Sequence, residues 1–330
     1  MIDTIIKKCA EMPGISMKSG ELHTDLILNL PEGNGHITFF PLFPGLTISY
    51  IFVQAPIWPA PNSSSGNPEE KGPLLLNYCI RGRCEMVLNN DNYVYVTDGN
   101  LSLTERFAQE QYVYPGRFYE GIEFYVDKNR FSAQSHWIEQ EFGIDFQRLT
   151  DRFCPSGSTY IISGTEEMKD LLNKLWNLYP LPEALSVPQI KIYTLALFSL
   201  LQNLENIPQS QICTFFTMTQ VNIAKQIEKI ISSDLRSHHP AHELAAQFAV
   251  SETSMKNYFR GVFGQNISVY LREIRMKQAA ARLASTRLSV AEIAEEVGYT
   301  NQSKFAAVFK KQYKMSPLEY RRSKSLDFPI

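Results

Sequence analysis

Between about residues 20 and 130 the apolar positions come in short runs broken by Pro, Gly and Asn, a texture of strands rather than helices. Runs at 26–30, 37–40, 46–53, 74–80, 85–88 and 93–97 recur at the spacing of a β-sandwich or barrel. Asn89-Asn90-Asp91-Asn92 has hairpin-turn chemistry, because Asn and Asp tolerate positive φ and hydrogen-bond locally. Residues 59–73, with three consecutive serines, read as a loop. Near residue 166 the period lengthens. Met168, Leu171, Leu172, Leu175 and Leu178 follow helical spacing, and after a break over 180–188 a second helix is predicted over 189–205. The leucine stripe of this pair, with Leu171, Leu175 and Leu200, either packs inside its own domain or joins two copies of the chain.

Beyond the Gln- and Thr-rich stretch at 206–219 everything reads helical. Ile223, Ile227, Ile230 and Ile231 share one face, and Pro240 suits the first position of the next helix, where its missing N–H costs nothing. The expected class is therefore α+β: a β-barrel over 1–165, a helical pair over 166–205, a linker over 206–221 and an all-α domain over 222–325.

The all-α domain contains a repeat, 244–272 and 293–322. Leu244-Ala245 opens one copy and Ile293-Ala294 the other; each is followed by a turn, Phe248-Ala249-Val250 or Val297-Gly298-Tyr299, and then a hydroxyl, Ser251 or Thr300, expected to cap the next helix. From there the copies match at an offset of 50: Met255 with Phe305, Phe259 with Phe309, Phe263 with Tyr313, Tyr270 with Tyr320, Arg272 with Arg322. Ser289 and Glu292 fit a capping box. A helix, a tight turn and a capped second helix make the helix-turn-helix unit, whose second helix enters the DNA major groove. With Met255, Phe259 and Val262 inward, Thr253, Lys256, Asn257 and Arg260 face outward; with Phe305 and Phe309 inward, Ser303, Lys304, Ala307 and Lys311 do. Residues 269–284 form one predicted helix, a rod able to hold two recognition helices one DNA turn apart.

Charge reinforces the division. Residues 222–330 carry 17 Lys and Arg against 10 Asp and Glu, whereas 1–221 carry 15 against 24. A basic end suits a polyanion and an acidic end does not. Arg272, Arg275, Lys277, Arg282, Lys310 and Lys311 are either phosphate partners or solvated side chains. The five cysteines are odd in number and lack a C-x-x-C pair, which points to reduced thiols in a cytoplasmic protein. The longest apolar run, 192–201, is too short for a membrane span, and Lys7 and Lys8 follow rather than precede the first apolar stretch, unlike a secretory signal. His238, His239 and His242 lack a fourth ligand and read as capping or surface groups, with no metal expected.

The stretch LSVAEIAEEVGYTNQSKFAAVFKKQYKMSPLEYRR at 288–322 closely resembles the signature of AraC/XylS-type transcription regulators, and 244–275 resembles their first unit. More loosely, 72–127 resembles the cupin-like sensor of the pyochelin-regulator-like, siderophore-responsive branch, and 166–205 that family's dimerisation helices. The resemblance implies base contact by Thr253, Lys256 and Asn257 in the first unit and by Gln302, Ser303, Lys304 and Ala307 in the second. It also implies double-stranded DNA as partner, a small-molecule effector, a homodimer, and RNA polymerase as a further partner if the output is activation. Phosphate contacts are expected from Ser251, Arg272, Thr300 and Lys310. Ala307 stands where many members carry a base-reading Arg, and Ala249 and Lys314 occupy turn positions usually held by Gly. In the sensor Tyr50, Trp58, Tyr78 and Tyr95 either line an effector pocket or fill the barrel core; the metal-binding cupin pattern is met only by Glu85, so an enzyme is not expected. The rivals are a cupin-like catalyst with an accessory helical domain and a DNA-binding module without a ligand.

Overall fold

The structure, a computed structural model, describes residues 2–59, 72–87, 92–105, 111–155, 158–179, 183–204 and 215–325. It divides into two compact units, Met1–Phe215 and Phe216–Ile330.

In the first unit α1 (Ile2–Ala10) precedes β1 (Ile15–Ser19), β2 (Thr24–Leu30), β3 (Gly33–Phe43), β4 (Leu46–Gln54), β5 (Ile57–Pro59), β6 (Leu74–Val87), β7 (Asn92–Thr97), β8 (Asn100–Thr104), β9 (Gln111–Val113) and β10 (Tyr119–Val126). Then come α2 (Lys128–Gln134), α3 (His136–Phe142), α4 (Phe146–Phe153), β11 (Tyr160–Ser163), α5 (Glu166–Leu178) and α6 (Glu183–Gln202). All strand pairing is antiparallel: one sheet runs β1-β2-β3-β4-β10-β6-β8-β11 and a smaller one β5-β9-β6-β7. β6 belongs to both. It turns between them at Gly82, whose φ is +114° and where a Cβ would lie 2.5 Å from the Phe118 carbonyl; only glycine fits so close an approach. The expected strands at 74–80 and 85–88 are thus one bent strand, except that Leu88 and most of the Asn-rich turn lie outside the described residues. Among the described residues no pairing joins β1 to β11, so the sheet is open, not the closed cupin-like barrel expected.

Both faces of the large sheet are covered. Phe40, Ile48, Tyr50, Tyr78, Ile122 and Phe124 pack with Phe131, Phe146, Leu172 and Phe198 of the helices. On the other face Phe39, Ile51, Leu75, Cys79 and Tyr119 pack with α1 and the small sheet. The 166–205 helices therefore share the core of the sheet rather than forming a separate region. α6 begins before the break expected at 180–188 and carries Pro188 inside it. Near a helix start a proline forfeits few hydrogen bonds, which makes it tolerable there.

The second unit is helical: α7 (Met218–Ser233), α8 (Ala241–Gln247), α9 (Glu252–Phe263), α10 (Ile267–Ser285), α11 (Val290–Glu296), α12 (Gln302–Tyr313) and α13 (Pro317–Ser325). Thr217 caps α7 through a capping box with Gln220, so the last residues of the expected 206–221 linker are already ordered helix. Two cores form side by side. Ile227, Ile231, Leu244, Met255, Phe259 and Tyr270 make one; Met276, Leu283, Ile293, Phe305 and Phe309 make the other. α10 serves both, its first half in one core and its second half in the other.

Candidate nucleic-acid interface

Each recognition helix is delivered by the same local device. After α8 the Val250 N–H donates to the Ala245 carbonyl (3.2 Å), and after α11 the Tyr299 N–H donates to Ala294 (2.8 Å). These six-to-one bonds are the Schellman closure of a helix, which needs a left-handed residue. Ala249 supplies it at φ 51° in the first unit and Gly298 at φ 78° in the second. The recognition helices close alike: Gly264, φ 78°, donates to Arg260, and Lys314, φ 62°, to Lys310. Ala249 and Lys314 thus adopt the conformation expected from glycine positions, at a cost of about 1 kcal/mol each.

The helix starts bring one correction. Ser251 caps α9, accepting from the Ser254 N–H at 3.1 Å, but α12 is capped by Asn301, which accepts from the Lys304 N–H at 2.9 Å, not by Thr300. Thr300 is the one inserted residue, and the offset of 50 from Ser251 lands on Asn301. Pro240 likewise sits at the cap of α8 rather than inside it. The Ser289–Glu292 capping box forms as expected, and Ser316 with Glu319 makes the same reciprocal bonds ahead of α13.

Behind the recognition helices lie two aromatic triads. Phe259 stacks on Phe263 (4.6 Å, 30°), meets Tyr270 edge-on (5.4 Å, 81°), and Phe263 tilts against Tyr270 (5.1 Å, 57°). Phe309, Tyr313 and Tyr320 repeat this at 4.6 Å and 29°, 5.4 Å and 80°, 5.2 Å and 58°. Offset stacks and edge contacts are the arrangements the ring quadrupole favours. They fix which face of each helix turns inward.

The remaining face is open. Thr253, Lys256, Asn257 and Arg260 are all exposed at i, i+3, i+4 and i+7, one continuous stripe of α9. Gln302, Ser303, Lys304, Ala307, Lys310 and Lys311 are exposed on α12, as are Ser251, Arg272 and Thr300. Applying the offset to the first stripe gives Ser303, Ala306, Ala307 and Lys310 in the second. Lys310 therefore stands where Arg260 does, and Ala306 where Lys256 does. Neither correspondence was drawn from the sequence, though the offset contained both. Lys256 is held 2.7 Å from Glu252, whose carboxyl its bond and charge keep below the usual range.

A cavity of about 660 Å³ lies between the two recognition helices and brings together Lys256, Arg272, Arg275, Thr300, Asn301 and Lys304. Thr253, Asn257, Arg260 and Ala307 lie outside it. At its floor Arg275 of α10 donates to the Ser237 carbonyl (3.2 Å), and its guanidinium lies 5.9 Å from the Tyr299 ring centre. Burial lowers its pKa. A Cβ on Gly298 would come 2.7 Å from this guanidinium and 2.4 Å from the Leu235 carbonyl. One arginine thus ties the loop before the first helix-turn-helix to the turn of the second. His239 Nε2 lies 2.9 Å from the Asp234 carbonyl and His242 3.8 Å from Glu243; among the described residues no cluster is placed to hold a metal.

The other expected sites fare differently. Tyr50 and Tyr78 belong to the helix-side core, Trp58 to the opposite core, and buried Tyr95 donates to Glu85 (2.8 Å), so the four do not converge on one pocket. Tyr50 instead donates to the Leu175 carbonyl (2.9 Å) and stacks on Tyr179. Leu175 is fully buried in its own unit and cannot present a dimer surface; Leu171 and Leu200 are partly buried against the same core. Cys9, Cys79, Cys84 and Cys154 are buried free thiols, with burial pushing Cys9 up to about 11, while Cys213 lies outside the described residues. No helix among the described residues is long and apolar enough to cross a membrane.

A family model described as a helix-turn-helix domain matches residues 244–323. The Msm operon regulatory protein of Streptococcus mutans is 30% identical over 97 residues, 29% of this chain and 35% of that protein. Regulatory protein SoxS of Escherichia coli is 32% identical over 78 residues, 24% of this chain and 73% of that one. Among solved structures, the C-terminal domain of AraT, a response regulator from Geobacillus stearothermophilus, is 33% identical and covers 31% of this chain and 84% of that chain, with a TM-score of 0.30. The chain spans 35%, 28% and 26% of three longer regulators that it matches.

Proposed function

The chain belongs to the AraC/XylS-type family of helix-turn-helix transcription regulators, and on that premise we propose that it reads a specific DNA site by laying α9 and α12 in two successive major grooves. The observation that carries this is the pair of units with matching caps and matching triads, each turning a solvent-exposed stripe away from its core. α10 has 19 residues, which makes it about 28 Å long, close to the ~34 Å of one DNA turn. Thr253, Lys256, Asn257 and Arg260 read bases in the first groove; Gln302, Ser303 and Lys304 do so in the second, with Ala307 offering only apolar contact. Ser251, Arg272, Thr300 and Lys310 hold phosphates.

The regulator works in the cytoplasm and responds to a small effector bound by the first unit, which favours one presentation of the readers over another; linkage then requires the effector to bind that arrangement better. Activation through RNA polymerase is the output proposed. Pairing of two copies moves from the buried Leu175 to the outer face of α6, where Ile192 is 63% exposed and Ala196 follows one turn on. Titrating the protein onto its own upstream DNA across a salt series tests the reading. Neutralising several phosphates should lower affinity by about a thousandfold between ~50 and ~200 mM salt, with a preferred site throughout. Shallow salt dependence and no preferred site would overturn it.

A further inference from the structure

The register of the large sheet lines up four polar side chains in an otherwise apolar interior. Glu123 of β10 stands opposite Ser49 of β4 on one side and Asn77 of β6 on the other, and Asn77 stands opposite Ser102 of β8. Directly paired residues project from the same face, so the four make one row about 14 Å long at ~4.8 Å per strand. Ser49 and Ser102 are buried and Glu123 is 7% exposed. Two residues along the same face, Thr47 and Tyr125 are paired. The surroundings are Phe39, Ile51, Leu75, Cys79 and the small sheet.

A carboxyl in such a place is costly unless something compensates its charge. Tyr125 donates its hydroxyl to the Glu123 carboxylate. Cys84 of β6, Tyr112 of β9 and the following Tyr114 also face it closely enough to feel its charge. None of these groups carries positive charge, and burial pushes the Glu123 carboxyl up to about 7. Thr47 and Tyr125 line a cavity of about 350 Å³ whose wall includes Asp3, Asp127 and Arg130. Arg130 lies 3.8 Å from Asp3, which leaves Asp127 to make that wall acidic.

We propose that this cavity and the polar row behind Tyr125 bind a small organic cation, an ammonium compound, whose charge is met by Glu123 and whose body lies against Tyr112, Tyr114 and Tyr125. Ser49 and Asn77 supply further acceptors, and aromatic faces attract ammonium groups. An anion finds two carboxylates and no free guanidinium in the described wall. The inference rests on the effector reading only in that occupancy would be the signal; the site itself does not require DNA binding.

The test uses the full-length protein without DNA, titrated calorimetrically with tyramine and putrescine and with tyrosol and butanediol, in which hydroxyls replace the ammonium groups. With a carboxyl titrating at about 7, roughly one molecule in ten is ionised at ~pH 6 and about nine in ten at ~pH 8, so amine affinity should rise about tenfold across that interval. Glu123→Gln should abolish the rise and weaken amine binding at least several-fold at the higher pH. Should that variant not fold, the wild-type pH profile still decides. Equal binding of amine and alcohol, an affinity flat with pH, or no binding of either amine at millimolar concentration overturns the proposal. DNA binding is scored separately by the salt series, so the loss of one result leaves the other standing.

Discussion

In the two helix-turn-helix units the ring distances of the triads agree within 0.1 Å and their angles within 1°, while the stripes turned to solvent share little: Thr253, Lys256, Asn257 and Arg260 against Ser303, Ala306, Ala307 and Lys310. The supporting positions differ as well. Gly261 of α9 leaves room for the Phe216 ring, which a Cβ there would meet at 2.0 Å, whereas the matching position on α12 is the exposed Lys311. The comparison teaches that the inward half of each unit answers to packing and the outward half to whatever it contacts. Side chains on the two halves are separable because a helix sorts them onto opposite faces.

The strongest way to break the comparison is through the rings. Phe259→Ala and Phe309→Ala should each cost about 3–5 kcal/mol in urea unfolding, with nearly equal values, because both rings are fully buried in the same geometry. Costs differing by more than the scatter of such measurements would show that the cores are not equivalent.

Next in size come the stripes. Lys256→Ala with Asn257→Ala should cost about 1–3 kcal/mol per lost base contact and relax sequence preference in the first half-site, as measured by binding to a randomised DNA pool. Ala307→Arg should sharpen preference in the second half-site by a similar amount. If neither half-site changes its preference, the stripes are not the reading faces.

The smallest effects lie in the turns. Ala249→Gly and Lys314→Gly should each stabilise the protein by about 0.5–1 kcal/mol in thermal unfolding, since both positions hold a left-handed backbone. A loss of stability would mean that the Ala249 methyl or the Lys314 stem makes a contact worth more than the strain.

The repeat was legible in the sequence because helical spacing, turn chemistry and a constant offset all pointed to one arrangement. The misassigned cap came from weighting the hydroxyl of Thr300 above the offset that lands on Asn301. The first unit was legible strand by strand but not face by face. β4 is buried along nearly its whole length, so no alternation of apolar and polar residues marks its two sides. Tyr50 and Tyr78 therefore read as pocket candidates, while Ser49 and Asn77, one residue away on the opposite face, passed as ordinary strand residues. Pairing register singles them out, and register depends on neighbours that a linear pattern does not contain.

The offset of 50 also has the character of a grafting rule. Since every ring of a triad points into its core and no stripe residue is buried, the first stripe can be written onto α12 as Ser303→Thr, Ala306→Lys, Ala307→Asn and Lys310→Arg without touching the second core. Such a chain would carry the same stripe twice on one rigid rod, and its favoured DNA would be a direct repeat of a single half-site.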